Sequence, residues 1–160
     1  MSAADPPSPN PPSPLRLRFD VPVDPRSYPF THRVRVRFAE TDAMAVAHHS
    51  AHLLYLEEAR VEYLRALGHP YDAVRAEGFE FPVLEVAVRY VRALRFDDVI
   101  DVHVTVHSVG AATFQMSYLL RAGGEVCAAG VTVHGVVGRD GRAARAPGWL
   151  RELAGPEGPA

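Results

Sequence analysis

The first clear pattern along the chain is an alternation of apolar and polar residues before position 40. In the segment FTHRVRVRF, Val34, Val36 and Phe38 alternate with arginines, and a period of two is typical of a strand with one buried face. From about Ser50 the period lengthens to between three and five residues, which predicts an amphipathic helix that ends at Gly68. The apolar stripe predicted for this helix is Leu53, Leu56, Val61, Leu64 and Leu67.

The rest of the chain is predicted to be mostly β, after one short helix. Pro70 is placed to open that helix, PYDAVRAE, and Gly78 to close it. Four strand patterns follow, in FPVLEVAVRYVRAL, VIDVHVTVHSV, TFQMSYLL and EVCAAGVTVHGVV, with a Gly123-Gly124 turn between the last two. We interpret these four strands as an antiparallel meander. One helix with a wide apolar face and one sheet fit each other as two layers, so the predicted fold class is α+β.

Prolines separate the start of the chain from this pattern. Residues 1–28 are predicted to form a Pro-rich tail that is extended or mobile, because proline lacks the amide donor of a helix or a central strand. Within it, LRLRF at 15–19 alternates and could pair as an edge strand. Residues 29–153 are predicted to be a single domain, and residues 154–160 a frayed terminus.

Composition narrows the class of protein. A chain of 160 residues is expected to form one domain. Its net charge of −2 and pI of about 6.4 give no sign of the basic surface that binds nucleic acid. The single cysteine, Cys127, excludes an internal disulfide. No apolar run reaches the length of a membrane span, and the first 14 residues lack the features of a signal peptide. We therefore expect a cytoplasmic protein without a membrane partner.

Two long segments resemble a known family. The segment VRVRFAETDAMAVAHHSAHLLYLEEARVEYLRALG resembles the opening of hotdog-fold acyl-CoA thioesterases of the 4-hydroxybenzoyl-CoA thioesterase type. The segment RYVRALRFDDVIDVHVTVHSVGAATFQMSYLLRAGGEVCAAGVTVHGVVGRDGRAARAP is similar to the sheet of that family, so the resemblance covers about residues 31 to 150. It implies a hotdog fold, in which a curved antiparallel sheet is wrapped around one long central helix.

The resemblance also implies where the chemistry lies. Asp42 stands where the family has its catalytic carboxylate, which attacks the thioester carbon or deprotonates the hydrolytic water. His49, seven residues later, stands where a side chain faces the substrate. Glu58 on the central helix and Tyr90 are the other residues we expect to bind substrate. One branch of the family uses an acid from the central helix, so Glu57 or Glu58 could replace Asp42 as the base.

The residues alone leave alternatives open at this site. Any aspartate before a helix can cap local amides, so Asp42 by itself could be an ordinary loop acid. His48 and His52 have the spacing that shares a helical face, so a zinc site is conceivable, although no conventional set of further ligands stands nearby. Otherwise these two histidines are expected to be surface or packing residues at the start of the helix.

The chain also departs from the family pattern in two places. Met44 and Ala45 stand where the family commonly has glycine, and Ala51 and His52 stand where it commonly has Asn-Tyr. The expected function is hydrolysis of an acyl- or aroyl-CoA without a metal or redox cofactor, coenzyme A being part of the substrate. The expected assembly is a homodimer, and a tetramer of two such dimers. The alternative is a non-catalytic hotdog module that binds acyl-CoA or a partner.

Overall fold

The computed structural model describes residues 16–154, and its main elements follow the predicted order. The two termini outside this range include most of the predicted tail and the predicted frayed end, which stay predictions. Turns of 3₁₀ helix lie at Pro25–Ser27 and Phe38–Glu40. The strands and helices are β1 (Phe30–Arg35), α1 (Ala51–Ala66), α2 (Tyr71–Glu77), β2 (Val83–Tyr90), β3 (Val99–Val109), β4 (Thr113–Ala122), β5 (Glu125–Gly135) and α3 (Gly148–Leu153).

The five strands form one antiparallel sheet in the order β1-β3-β4-β5-β2. The predicted meander is correct for β3, β4 and β5 but wrong for β2, which pairs with β5 at the far edge of the sheet. The reason lies in β5: all but the first two of its residues are buried, so this strand needs a neighbour on each side. The prediction of a hotdog fold, a curved sheet with one long helix against it, is confirmed.

Helix α1 buries a different face from the predicted stripe. Leu56 and Leu64 are buried as expected, but Leu53 and Leu67 are exposed. The backbone of β5 comes so close to the helix that a Cβ on Gly130 would lie 2.9 Å from Leu56 Cδ1. The buried face consists of residues spaced by one, three or four: Ala51, His52, Tyr55, Leu56, Ala59, Arg60, Tyr63 and Leu64.

Glycines end both predicted helices as expected. Gly68 and Gly78 have φ angles of +84° and +96°, in the left-handed region where a Cβ is unfavourable. Pro70 is the residue before the first turn of α2. Helix α3 has no strong periodic signal in its six residues and was not predicted. Among residues 16–154, no helix is long and apolar enough to cross a bilayer.

The segment that precedes β1 lies along the sheet rather than in it. Residues 16–20 form no strand, so the predicted edge strand is wrong over this part of 15–19. Instead, the amides of Arg16 and Leu17 donate to the Glu85 carboxylate, and the Arg18 amide donates to Gln115 Oε1 at 3.0 Å. Side chains of the sheet therefore supply the acceptors that a neighbouring strand would have supplied.

The alternation predicted for β1 also stops early. Val34 and Val36 are buried, but Phe38 is 75% exposed. The chain leaves the sheet after Arg35 and turns through the 3₁₀ segment Phe38–Glu40, so Phe38 lies on the surface, edge-on to Phe96. This turn directs the next residues, which include Asp42, away from the sheet and towards the start of α1.

Candidate active site

Three of the four predicted site residues line one cleft. The cleft has a volume of about 300 Å³ and lies between the loop before α1, the first turn of α1 and the end of β2. Asp42 comes from the loop, His49 from the start of the helix and Tyr90 from the strand. The remaining lining residues are Met44, Val46, Ala47, His52, Val91, Arg92, Ala93 and Leu94.

Asp42 is held by a tight turn of its own loop. Its amide donates to the carbonyl of Val46 and its carbonyl accepts from the amide of Ala45, each at 2.9 Å. Its Oδ1 accepts from the amide of Met44 at 2.8 Å. Its Oδ2 has no hydrogen-bond partner within residues 16–154, and the residue is half-buried. One carboxylate oxygen is thus fixed in position, while the other remains available in the cleft.

The turn requires an unusual backbone conformation at Ala45. Its φ of +56° lies in the left-handed region, where a non-glycine residue is disfavoured by about 1–2 kcal/mol. This is one of the two positions at which the resembled family commonly has glycine. The loop therefore has a conformation typical of glycine with alanine in place.

Tyr90 connects the strand to the start of the helix. Its hydroxyl donates to the backbone carbonyl of His49 at 3.0 Å. Its ring meets the ring of His52 edge-on, with centroids 4.8 Å apart. The ring of His49 packs against the ring of His48 at a tilt of 39°, with centroids 4.0 Å apart. Tyr90 therefore positions the backbone at the start of α1 rather than only lining a wall.

His52 is a buried member of the cleft wall. Burial lowers its pKa below the usual value, although the carbonyl groups of His48 and His49 partly oppose this effect. Its Nδ1 is buried and makes no hydrogen bond of acceptable geometry with any described residue. His52 was expected to be either a surface or a packing residue, and at 4% exposure it is a packing residue. Its place in the wall of the cleft beside Asp42 was not predicted.

A buried acid supports the loop from beneath. Glu40 Oε2 accepts from the hydroxyl of Tyr55 and from the amide of Arg37, each at 2.8 Å, and the Glu40 carbonyl accepts from the amide of His48. Burial alone would raise the pKa of Glu40, but these donors and the Arg37 guanidinium outweigh it, so the pKa is lowered. Neither Glu40 nor Tyr55 was predicted from the sequence to anchor this loop.

Glu58 lies away from this cleft. Its Oε1 is 2.9 Å from Nε2 of His32 on β1, and β1 and β2 are opposite edges of the sheet. The side chain therefore points towards β1, whereas Tyr90 on β2 lines the cleft. Within one chain, the structure does not bring the predicted residue Glu58 to the other three. Glu57 faces a different cavity, nearer to β2.

The clustered histidines do not converge. His48 Nδ1 lies 2.7 Å from Ser50 Oγ, which joins it to the residue before α1. His49 faces the cleft and His52 is buried in its wall. In the part of the chain that the structure describes, no three histidine, cysteine or acidic side chains are grouped as ligands of one metal ion.

Comparisons with known proteins match this region of the chain. A family model described as the thioesterase-like superfamily matches residues 36–153. The acyl-CoA thioesterase YbgC of Haemophilus influenzae is 36% identical over 85 residues, which are 52% of this chain and 62% of that protein. A solved structure from Aquifex aeolicus has a TM-score of 0.74 and 37% identity, covering 78% of this chain and 98% of that one.

A further solved structure contains a ligand. A thioesterase from Thermus thermophilus was solved with coenzyme A and zinc. It has a TM-score of 0.69 and 29% identity, and the similarity covers 79% of this chain and 91% of that one. The family match spans strands β2 to β5, helix α1 and the cleft, and it begins directly after β1.

Proposed function

The chain belongs to the thioesterase-like superfamily and is a thioester hydrolase, and we propose that it hydrolyses acyl-CoA thioesters with the carboxylate of Asp42 as the reacting group. Membership of this family confirms the resemblance seen in the sequence. The named activity of the Haemophilus influenzae relative and the coenzyme A in the Thermus thermophilus structure support the acyl-CoA class. The observation that carries the role of Asp42 is its place in one cleft with His49 and Tyr90.

Asp42 has two possible chemical roles that share one geometry. As a nucleophile, its carboxylate would add to the thioester carbon and expel the coenzyme A thiolate, leaving a mixed anhydride that water then hydrolyses. As a general base, it would remove a proton from the water that attacks the same carbon. Both roles use the free Oδ2, while the Met44 amide holds Oδ1.

The start of α1 offers a donor for the charge that develops on the thioester oxygen. The amide of His49 makes no hydrogen bond with any described residue and lies just before the first turn of a 16-residue helix. The start of a helix carries partial positive charge, and a backbone amide that donates to the developing oxyanion contributes about 10²- to 10³-fold to the rate. We assign this donor role to His49, whose carbonyl is held on the other side by Tyr90.

The edge of the sheet supports a homodimer. Among residues 16–154, no other strand pairs with the outer edge of β2, and Val83, Leu84 and Val86 are 51%, 48% and 43% exposed. An unpaired edge with apolar side chains is a site for pairing with another chain. We propose that two copies meet along β2, next to the cleft, and that two such dimers form a tetramer. Sedimentation of the purified protein would test this directly.

The experiment that tests the function is a substrate panel. Purified protein is incubated with acyl- and aroyl-CoAs while free thiol is followed, with and without a chelator. We expect turnover of at least one member, unaffected by chelation because no metal or redox cofactor is proposed. Tight binding without turnover of any member would contradict the proposal and favour a non-catalytic binding module. Loss of activity on chelation, restored by zinc, would contradict the metal-independent mechanism.

A further inference from the structure

A second cavity lies farther along α1, on the side of β2. Its volume is about 240 Å³, and it opens between the middle of the helix and the sheet. Most of its wall is apolar, but one end carries polar groups. The lining residues are Leu53, Leu56, Glu57, Arg60, Val83, Val86, Tyr118 and Thr132.

Arg60 is the unusual member of this wall. The residue is 6% exposed, and its Nη1 is buried without a hydrogen-bond partner among residues 16–154. It makes no ion pair with any described carboxylate, although arginines elsewhere in the chain do. Burial of a guanidinium is costly unless a partner neutralises it, and a carboxylate is the group that its planar fork fits best.

The neighbouring polar groups do not supply that partner. The Tyr118 hydroxyl and Thr132 Oγ1 are 3.0 Å apart, and Thr132 Oγ1 is 2.8 Å from Nε2 of His134. These contacts lie within the row, and neither hydroxyl is the charged group that a buried guanidinium requires. Glu57 lies at the rim with an exposed side chain and makes no ion pair with Arg60. The cavity therefore has a buried positive group at its end and a negative group at its mouth.

The cavity and the cleft lie along the same side of the helix. His52 lines the cleft and Arg60 the cavity, and eight residues of helix separate them by about 12 Å. On β2, Tyr90 lines the cleft and Val86 the cavity, and alternate residues of a strand share one face. An acyl chain whose thioester lies at Asp42 can follow this face and end at Arg60.

We propose that Arg60 binds a carboxylate at the far end of the acyl chain, so that the preferred substrates are coenzyme A monothioesters of dicarboxylic acids. This inference rests on the proposed function, because it takes the cleft at Asp42 as the place of the thioester. The helical distance of about 12 Å from His52, in the wall of the cleft, to Arg60 sets the scale: the preference begins when the extended acyl chain reaches from the cleft to Arg60. Shorter dicarboxylic acyl groups leave Arg60 without its partner.

The test compares matched substrates with and without the distal carboxylate. For each chain length, kcat/KM is measured for the carboxyl-ended acyl-CoA and for the methyl-ended one. Binding of both is also measured by calorimetry on the Asp42→Asn variant, which does not depend on turnover. We expect the wild type to favour the carboxyl-ended substrate by about 10-fold or more at the spanning length, the size of a charge-assisted hydrogen bond.

Substitutions at the two ends of the cavity sharpen the result. Arg60→Met, which keeps the side chain long but removes the charge, should abolish the preference by lowering kcat/KM for carboxyl-ended substrates by about 10-fold or more. Arg60→Lys should keep part of the preference. Glu57→Gln, which removes the negative group at the mouth, should increase it several-fold. Thermal unfolding should show Arg60→Met to be at least as stable as the wild type, because no partner is lost.

Each contrary outcome is distinguishable. An unchanged substrate ratio in Arg60→Met would overturn the inference while leaving the thioesterase proposal intact. Dissociation or lower stability of that variant would show that Arg60 pairs with a carboxylate of a second copy of the chain, which also overturns it. If the wild type hydrolyses no panel member but calorimetry shows an Arg60-dependent preference, the binding inference stands and the proposed function fails.

Discussion

Two polar regions beneath helix α1 differ in how far their hydrogen-bonding groups are satisfied. Under the middle of the helix, Tyr118, Thr132 and His134 are fully buried or nearly so and bond to one another in a row. At the start of the helix, Asp42 keeps one oxygen free and the amide of His49 has no partner among the described residues. The paired row stabilises the fold, whereas the unpaired groups of the cleft are available to a substrate.

The largest expected effect on stability concerns His134 in the paired row. Burial, with a smaller contribution from the charge of Arg60, lowers the pKa of His134 to about 3. In the unfolded chain a histidine has a pKa of about 6.5. Below that pH His134 is protonated in the unfolded state but stays neutral in the folded state, and this difference favours unfolding. The contribution to stability is therefore complete above a pH of about 6.5 and is lost as the pH falls towards the folded-state pKa. By a pH of about 4 the loss is roughly 3 kcal/mol.

His134→Gln separates this effect from other acid-sensitive groups. Urea unfolding of both proteins between about pH 7.5 and about pH 4 should show a smaller loss of stability in the variant, whatever its stability at neutral pH. The hydrolysis rate at neutral pH should change little, since His134 lies outside the cleft. Equal pH slopes for the two proteins would contradict the structural role assigned to the row.

The next effect concerns Gly130, where the helix rests on the sheet. Gly130→Ala would place a methyl group 2.9 Å from Leu56 Cδ1, and overpacking of this kind costs about 1–3 kcal/mol of folding free energy. The free energy of unfolding should fall by that amount. Gly123→Ala is unsuitable as a control because of its positive φ, but Gly148→Ala meets only the Arg151 side chain, at 4.0 Å. It should be much better tolerated in the same assay.

At Tyr90 in the cleft, substitution is expected to lower activity rather than stability. Tyr90→Phe removes the hydrogen bond to the His49 carbonyl but keeps the ring against His52. A hydrogen bond of this kind contributes about 0.5–1.5 kcal/mol, so kcat/KM should fall by about 2- to 12-fold. Melting temperature should change little. A large loss of stability with unchanged kinetics would show that Tyr90 belongs with the structural row rather than with the cleft.

The smallest effect is expected at Ala45 in the Asp42 loop. Ala45→Gly relieves the positive φ of +56° but makes the unfolded chain more flexible, so the net gain in stability should be below about 1 kcal/mol. Activity should be retained, since the loop already has the conformation that glycine would adopt. A marked loss of activity would show that the methyl group of Ala45 itself shapes the site. Unfolding and thiol-release assays on one preparation measure both.

The sequence predicted the elements better than their arrangement. Periodicity located α1 and all five strands, and Gly68 and Gly78 located the ends of both early helices. It did not reveal that β2 pairs with β5, because strand patterns record which residues are buried and not which strands are neighbours. For LRLRF, alternation predicted a strand where the structure has none. The backbone amides of its described residues donate to the side chains of Glu85 and Gln115 instead of to a neighbouring strand.

Of the four residues predicted for the candidate site, Asp42, His49 and Tyr90 line one cleft, whereas His52 lines it without having been predicted there. Asp42 and His49 lie in one loop, and the family resemblance assigned both to the site. His52 and Tyr90 come together only through the pairing of β2, and the burial of His52 was not visible from its position. Glu58 was expected in the site from its helix, but the direction of one side chain on that helix depends on packing, and it faces His32.

The central claim is that the carboxylate of Asp42 performs the chemistry, and its most direct test is kcat at saturating acyl-CoA. Asp42→Asn keeps the shape and the turn but removes the charge, so kcat should fall by about 10²- to 10⁴-fold with little change in melting temperature. Glu58→Gln, an acid of the same helix region outside the cleft, should remain within a few-fold of the wild type. Near wild-type turnover by Asp42→Asn, or an equal loss in Glu58→Gln, would contradict the account.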